Sequence, residues 1–288
     1  MTGKNHAISV RDRLLQRARQ ERVDFQRLLV RYGIERLLYR VSHSEHAEAL
    51  VLKGATLFAL WLGKPHRATK DLDLLGRGTP DVDRLVAVFT EVVAVACPED
   101  GIDFDAEGIS GSPIRAGAVY PGVRILIPAQ LAGARIRISV DVGLGDATVP
   151  RPATVAMPSL LDLPAVRLRA YAPETVVAEK LEALVVLGLT TSRMKDLYDL
   201  DVLRELFPFD DTLVAAVQAT FQRRGTPLPT ALPIGLTDAF AADVTKQTQW
   251  RAFLRRTVTE DQRALDEVVR RLRCWLWPVL EQASAGHS

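Results

Sequence analysis

Two short segments alternate apolar and polar residues so regularly that they restrict the fold to one that contains a sheet. Residues 122–127 (GVRILI) and 134–142 (ARIRISVDV) carry apolar side chains at every second position, which is the signature of half-buried strands. Residues 69–75 (TKDLDLL) also predict a strand. Together these segments predict a small mixed sheet flanked by helices.

Helical spacing of apolar residues dominates the rest of the N-terminal half. It predicts helices over residues 9–41, 45–54, 55–62 and 80–96. Gly33 is expected to break the first of these into two helices. Gly63, with Pro65 just beyond it, is expected to end the third.

The texture of the chain changes after Val149, where prolines become frequent. Beyond them the spacing predicts helices over residues 174–187, 193–206, 210–224, 235–256 and 260–282. We therefore predict an α/β (α+β) fold: a lobe with a small mixed sheet over residues 1–165 and a helical lobe over residues 166–288, with a cleft between them. No heptad seam is present, so a monomer is the expectation.

Composition excludes several classes of protein. Hydrophobic residues make up 48% of the 288-residue chain, which permits a sizeable core. No apolar stretch approaches the roughly 20 residues that cross a bilayer, and residues 1–10 lack a secretion signal. The only two cysteines, Cys97 and Cys274, are far apart and outside any metal-binding spacing. We expect a cytoplasmic protein without membrane partners.

Positive charge is clustered although the net charge is only +2. Residues 11–40 hold nine Arg and no Lys against four acids, and residues 251–273 hold seven Arg against four acids. Such clusters suit a nucleic-acid backbone. They are also typical of solvated helix faces, and for any one cluster this second interpretation is the stronger.

Three aspartates stand at positions where strand alternation would bring them to one face. Residues two apart on a strand point the same way, so Asp71 and Asp73 share a face. Asp141 ends a polar stripe in RIRISVDV. Like charges side by side are best tolerated around a cation, and Mg²⁺ takes a few carboxylates with water and phosphates as its other ligands. Asp71, Asp73 and Asp141 are therefore candidate metal ligands.

The segment LKGATLFALWL before the aspartates predicts a second candidate feature. The start of a helix offers free N–H groups to phosphates. Gly54 would let the backbone approach a triphosphate, and Thr56 could add a hydroxyl. An ordinary tight turn before a buried helix explains the same residues.

Five blocks of sequence closely resemble the AbiEii/MenT nucleotidyltransferase-like toxins, which are related to the DNA polymerase β superfamily. The blocks cover roughly residues 8–205, and the glycine pair of the family is here Gly54-Ala55. They are V-L-K-G-A-T-L-F-A-L (51–60), R-A-T-K-D-L-D-L (67–74), I-S-V-D-V-G-L-G-D (138–146), E-T-V-V-A-E-K-L-E-A-L (174–184) and R-M-K-D-L-Y-D-L (193–200).

The resemblance implies a polymerase β-type lobe and the toxin half of a bacterial toxin–antitoxin pair, with a cognate antitoxin encoded adjacently. It implies transfer of nucleotides from an NTP to the 3′ end of tRNA, which blocks aminoacylation and translation. The implied cation is Mg²⁺, with Mn²⁺ as the alternative. The nucleotide-binding residues that it implies are Lys53, Gly54, Ala55, Thr56, Arg67, Thr69 and Lys180.

Two alternatives to this function remain at the level of sequence. One is a nucleotidyltransferase that acts on a protein or a small molecule. The other is a catalytically silent binding protein, which is disfavoured because the three aspartates and Lys180 are all present.

A lysine and an aspartate in the helical lobe stand out by their positions. Lys180 falls within the apolar stripe of its helix, where it must snorkel or meet an anion. Glu182 of the same helix is expected off that stripe.

Asp196 falls on the buried face of the next helix and is the predicted structural or catalytic residue beside Lys180. Asp199 is the second candidate and is expected nearer the edge of that face. Arg193 and Lys195 are further candidate partners of Asp196.

Three residues just before the metal strand complete the candidates. Arg67 is a plausible triphosphate contact. Thr69 shares the face of Asp71, so modification there would disturb the site. Lys70 points the other way by alternation, which favours a structural role.

Overall fold

The computed structural model describes residues 3–63, 71–114, 122–257 and 263–286. The chain divides into two compact units. Unit 1 comprises Met1–Gly145 and Ala153–Ala170, and unit 2 comprises Asp146–Pro152 and Tyr171–Ser288.

Unit 1 holds the sheet predicted from the alternating segments. In chain order its described elements are α1 (Gly3–Glu21), α2 (Phe25–Ser42), β1 (Val51–Lys53), α3 (Thr56–Leu62), β2 (Asp71–Gly76), α4 (Val82–Ala94), β3 (Ile102–Phe104), β4 (Ser110–Ile114), β5 (Gly122–Leu131), β6 (Ala134–Leu144), β7 (Ala153–Met157) and β8 (Val166–Ala170). The strand order is β3-β5-β6-β2-β1-β8-β7, and β4 also pairs with β5. The predicted mixed α/β fold is confirmed.

The hairpin of β5 and β6 is the longest pairing in this sheet. Its turn, Ala132-Gly133, has φ angles of 45° and 81°. Two positive φ angles match the type I′ turn, whose twist suits a two-residue hairpin. The turn fixes the register, so that Leu131 faces Ala134 and Gly122 faces Gly143 at the far end.

One face of the sheet is apolar and is covered by helices. Helix α2 lies so close to it that a Cβ on Gly33 would be 3.0 Å from the Ile138 side chain. The predicted break at Gly33 is therefore wrong: the glycine lies within α2 and permits close packing. The break falls earlier, where Asp24 caps α2 by accepting a hydrogen bond from the Arg27 backbone N–H at 2.9 Å.

The helix predicted over residues 45–54 is also wrong, because its apolar residues pair with a strand. Val51 and Leu52 face Leu75 and Leu74 of antiparallel β2. Tertiary pairing overrides the local pattern here. Helix α3 follows directly and ends at Gly63, whose φ of 68° is that of a left-handed cap, as predicted.

A buried polar cluster ties α2 to the segment before β8. Glu35 accepts hydrogen bonds from the Leu160 backbone N–H at 2.9 Å and the Ser159 hydroxyl at 2.8 Å. It also pairs at 2.6 Å with Arg36, whose side chain is fully buried. One turn along α2, Arg40 pairs with buried Asp100.

Unit 2 is helical. Its described helices are α5 (Pro173–Leu187), α6 (Met194–Leu206), α7 (Asp211–Arg224), α8 (Asp238–Ala242), α9 (Val244–Thr257) and α10 (Leu265–Ala285). The helix predicted over 235–256 is divided at Asp243, which leaves the helical region and accepts a hydrogen bond from the Lys246 backbone N–H. The lobe boundary predicted after residue 165 lies beside β8, which belongs to unit 1 because it pairs with β1 and β7.

No helix in the described ranges is long and apolar enough to cross a membrane. The two cysteines are free thiols, Cys97 buried and Cys274 exposed.

Replacing Glu35 with alanine is expected to lower the free energy of unfolding by about 3–5 kcal/mol, because the Arg36 guanidinium would stay buried without its counter-charge. Thermal and urea unfolding followed by circular dichroism measure the change. Glu21→Ala is the control, since Glu21 pairs with Arg17 at the surface and such pairs contribute only about 0.2–1 kcal/mol. Equal losses in the two variants would contradict the structural role of Glu35.

Candidate active site

Four charged side chains stand side by side across four strands of unit 1. Lys53 of β1 faces Asp73 of β2, Asp73 faces Asp141 of β6, and Asp141 faces Arg124 of β5. Facing residues on paired strands point to the same side of the sheet. The row therefore places two carboxylates between two cationic side chains.

Asp71 lies on the same face, one step along β2. It stands two residues from Asp73 and faces Ser139 of β6. Asp71, Asp73 and Asp141 are half-buried. Their neighbours in the chain, Leu72 and Val140, are fully buried on the opposite face. The structure thus brings the three predicted aspartates to one face of two neighbouring strands.

Arg124 is the residue of this face that the sequence analysis missed. Its Nε donates to one oxygen of Asp141 and its Nη2 to the other, both at 2.7 Å. These hydrogen bonds raise the pKa of Arg124 against the effect of burial, and the charges of Asp141, Asp71 and Asp73 raise it further. Counting back from the turn at Ala132-Gly133 would have placed Arg124 opposite Asp141.

The donor set fits a hard divalent cation in chemistry, because carboxylate oxygens are its preferred protein ligands. As the side chains stand, no three His, Cys, Asp or Glu side chains in the described ranges are arranged to hold a metal ion. At this face, Arg124 donates to both oxygens of Asp141. The buried hydroxyl of Ser139, beside Asp71, has no hydrogen-bond partner among the described residues and could accept one from a hydrated cation.

Gly54 lies against the aspartates rather than only at the start of a helix. Its φ is 74°, and a Cβ at this position would be 2.1 Å from the Asp73 Oδ2 atom. The absence of a side chain therefore makes room for the Asp73 carboxylate. Ala55 then leads into α3, which begins at Thr56. The phosphate-binding roles predicted for residues 53–56 remain predictions.

Two predicted site residues, Arg67 and Thr69, lie outside the described residues, as does Lys70, for which a structural role is predicted.

Unit 2 contains the predicted lysine–aspartate cluster. The Lys180 ammonium donates to Asp196 at 2.7 Å and to Asp199 at 2.8 Å, and Arg193 also pairs with Asp196. Both aspartates are buried, with exposed fractions of 4% for Asp196 and 0% for Asp199. Asp199 was expected nearer the edge of the helix face. It is instead as deeply buried as its partner.

The charges of this cluster stabilise one another. Burial alone would lower the pKa of Lys180, but Asp196 and Asp199 outweigh it, and the pKa is raised. Burial alone would raise the pKa of Asp196, but Lys180 and Arg193 outweigh it, and the pKa is lowered. The charged forms of Lys180 and Asp196 are therefore favoured, and the Lys180 Nζ atom donates to both aspartates.

A second network of unit 2 was not predicted. Arg224 contacts Glu182 at 2.7 Å, Asp146 at 3.1 Å and Glu179 at 3.7 Å. Burial opposes the charge of Arg224, but the three acids raise its pKa. Glu182, expected off the apolar stripe of its helix, is buried because Arg224 and Thr226 satisfy its oxygens.

The arginines of segment 11–40 include both buried and exposed side chains. Arg36 and Arg40 are buried in ion pairs of unit 1 and are not available to a nucleic acid. Arg13, Arg19, Arg22 and Arg27 are exposed. The segment is therefore a weaker indication of RNA binding than its count of arginines suggests.

The fold is that of a nucleotidyltransferase. A crystal structure of a provisionally assigned nucleotidyltransferase from H. pylori superposes with a TM-score of 0.51 at 15% identity, covering 91% of this chain and 98% of that chain. A structure of JHP933 from Helicobacter pylori has a TM-score of 0.48 at 16% identity, covering 92% and 96%. Comparison with curated proteins finds no match.

The family model described as nucleotidyl transferase AbiEii toxin, type IV toxin–antitoxin system, matches residues 36–271. Since the match spans most of the chain, the protein belongs to the AbiEii family of toxin nucleotidyltransferases, as its sequence blocks indicate. Membership of a type IV toxin–antitoxin family implies an antitoxin partner.

Gly54→Ala is expected to lower the toxicity of the expressed protein and its nucleotidyl transfer rate by about 100-fold, because displacing a reacting group by 1 Å can cost that much. Gly63→Ala is a matched control: its φ is also positive, at 68°, but a Cβ there meets nothing within 4 Å. Both variants carry backbone strain of about 1–2 kcal/mol, measured by thermal unfolding. Equal activity of two equally stable variants would contradict a role for the Gly54–Asp73 contact.

Asp196→Asn is expected to lower the free energy of unfolding at pH 7 by about 1–3 kcal/mol, the cost of weakening a buried charged hydrogen bond. Because the pKa of Asp196 is lowered in the folded protein, its charge stabilises the fold at pH values above the ordinary pKa of an aspartate, about 4. This contribution is lost as the pH falls through the pKa of the folded state. The difference from wild type should therefore shrink between pH 7 and pH 3 in thermal unfolding. A constant difference, like that expected for exposed Asp238→Asn, would contradict the assignment.

Proposed function

We propose that the protein transfers a nucleotide from an NTP to the 3′ end of tRNA, with Mg²⁺ as the cation, and so blocks aminoacylation and translation in the cytoplasm. Family membership supports the toxin and the nucleotidyl transfer. The observation that carries the proposed cation site is the placement of three aspartates on one face. Asp73 lies beside Asp141, and Asp71 lies two residues from Asp73 along β2.

In this reaction the 3′-hydroxyl oxygen of the acceptor forms a bond to the α-phosphorus of the NTP. The bond from the α-phosphorus to the oxygen of the β-phosphate breaks, pyrophosphate leaves, and the hydroxyl proton passes to solvent. A bound divalent cation supplies charge stabilisation at the phosphates and at the attacking oxygen. Mn²⁺ is the expected substitute for Mg²⁺, since both take oxygen ligands.

The chain itself would hold and orient the reactants. Asp71 and Asp73 are the proposed cation ligands, and Asp141 is the third. Lys53 and the turn Gly54-Ala55, followed by Thr56, stand beside Asp73 and are the proposed contacts of the NTP phosphates. These groups act by position and charge, which account for most of the catalysis of phosphoryl transfer.

Lys180 and Asp196 are proposed as positioning residues of unit 2. The Lys180 ammonium joins α5 to α6 through Asp196 and Asp199. Its predicted contact with phosphate would require it to exchange one of these partners. Arg67 and Thr69 complete the proposed nucleotide-binding set by their place in the family blocks.

An RNA acceptor is supported by the side chains that continue the face along β6. Arg135 and Arg137 point to the same side as Asp141 and are exposed. At about 3.3 Å per residue, Arg137 lies roughly 13 Å and Arg135 roughly 20 Å from Asp141 along the strand. Exposed arginines spaced in this way suit successive backbone phosphates near the acceptor end.

The test is incubation of the purified protein with total tRNA, Mg²⁺ and each α-³²P-labelled NTP in turn. Label on RNA is expected with at least one NTP. Asp71→Ala should reduce the labelling by at least about 100-fold, whereas Asp83→Ala, an exposed residue of α4, should leave it unchanged. Periodate oxidation of the tRNA, which destroys its 3′ diol, should abolish the labelling.

Absence of labelled RNA with all four NTPs would overturn the tRNA acceptor. Label that appears on protein or on a small molecule in the same reactions would identify the alternative acceptor. Equal labelling by Asp71→Ala would overturn the cation-binding assignment. Omission of Mg²⁺ in the presence of EDTA is expected to stop transfer, and Mn²⁺ to restore it.

A further inference from the structure

Arg124 occupies the third carboxylate of the proposed cation site. Its guanidinium spans both oxygens of Asp141, with two hydrogen bonds of 2.7 Å. A cation that used Asp141 as a ligand would meet the positive charge of Arg124 at the same oxygens. The arginine and the cation therefore compete for one carboxylate.

The charge balance of the face shows why Arg124 takes this position. Among its described residues the face has three carboxylates, Asp71, Asp73 and Asp141, and two cationic side chains, Lys53 and Arg124. Without a cation, Arg124 relieves the repulsion between the carboxylates. With a divalent cation present, the same five groups and the cation would carry a net positive charge, which an anion must offset.

The surroundings of Arg124 permit it to change partners. Its side chain is 43% exposed, and its neighbour on β4 is Ser112, a small exposed residue. A guanidinium binds phosphate and carboxylate in the same two-pronged geometry. The phosphates of an NTP therefore offer Arg124 a replacement for Asp141 that is also anionic and also presents two oxygens to the guanidinium.

We propose that Arg124 exchanges Asp141 for a phosphate of the incoming NTP, and that this exchange makes cation binding and nucleotide binding depend on each other. The inference rests on the proposed function. In the absence of nucleotide, Arg124 keeps Asp141 from the cation. The nucleotide releases Asp141 by binding Arg124, so that the complete site forms only when both ligands are present.

This exchange has a thermodynamic signature. If the nucleotide raises the affinity for the cation, the cation raises the affinity for the nucleotide by the same factor, commonly about 5- to 150-fold. Removal of Arg124 should change cation binding in two ways. The cation should bind more tightly in the absence of nucleotide, and the addition of nucleotide should increase its affinity by a smaller factor than in wild type.

The experiment measures Mn²⁺ binding to the full chain from the electron paramagnetic resonance signal of free Mn²⁺. Titrations are made without nucleotide and with the α,β-methylene analogues of ATP, CTP, GTP and UTP, each used separately. The variants are Arg124→Ala and Arg124→Lys, since a lysine is a single point charge without the two-pronged geometry. Arg167→Ala is the matched control, because Arg167 is an exposed arginine of β8 with no role in the proposed site. Circular dichroism confirms that each variant folds.

For Arg124→Ala we expect about tenfold tighter Mn²⁺ binding without nucleotide and a smaller increase on adding the effective analogue. Arg124→Lys should fall between Ala and wild type, and Arg167→Ala should match wild type. Unchanged or weaker Mn²⁺ binding by folded Arg124→Ala without nucleotide would overturn the exchange. That result would instead show that Arg124 holds Asp141 in place and that Asp141 is the cation ligand.

Asp71→Ala separates failure of this inference from failure of the proposed function. If wild type binds Mn²⁺ and Asp71→Ala does not, the cation site stands. Mn²⁺ binding by Arg124→Ala that equals that of wild type then overturns only the exchange. If wild type binds no Mn²⁺ with any analogue, or binds it as Asp71→Ala does, the cation site and the exchange are overturned together.

Discussion

Repulsion between like charges is the constraint around which the open face of the sheet is organised. Parallel pairing of β2 with β6 puts Asp73 directly beside Asp141, and alternation brings Asp71 to the same side. Carboxylates so close together destabilise a fold unless positive charge intervenes. Lys53 and Arg124 flank the pair on the two outer strands. The two cationic side chains thus offset the repulsion between the carboxylates in the folded sheet.

The same rule governs the interior of unit 2, with a different result. Asp196 and Asp199 share Lys180, and fully buried Asp201 accepts from Arg263 and Arg271. These groups have little exposure, so their pairing mainly fixes the positions of helices. On the sheet of unit 1 the pairing is half-exposed, and a ligand can compete for it. Burial therefore distinguishes a structural charge cluster from a site that can exchange partners.

Much of this could be predicted because it depends on local periodicity. The alternation in GVRILI and ARIRISVDV predicted β5 and β6, and helical spacing predicted most helices of unit 2. The shared face of Asp71 and Asp73 followed from alternation alone, whereas the place of Asp141 beside them needed the pairing of β2 with β6. Val51 and Leu52 were misassigned because a three-residue strand is too short to show a period, and Gly33 because the need for a close helix–sheet approach is not visible in the helix itself. Strands β7 and β8, of five residues each, were missed as well, although VRLRA in β8 alternates apolar and charged residues.

The sequence by itself determined which residues of each strand share a face, because side-chain direction follows from the backbone period. Its five blocks also determined the family. Only the tertiary structure decided which strands are neighbours, and hence that Asp141 lies between Asp73 and Arg124. Strand order and register arise from pairing between residues far apart in the chain, together with the turn at Ala132-Gly133. The row Lys53, Asp73, Asp141 and Arg124 is therefore a property of the folded sheet.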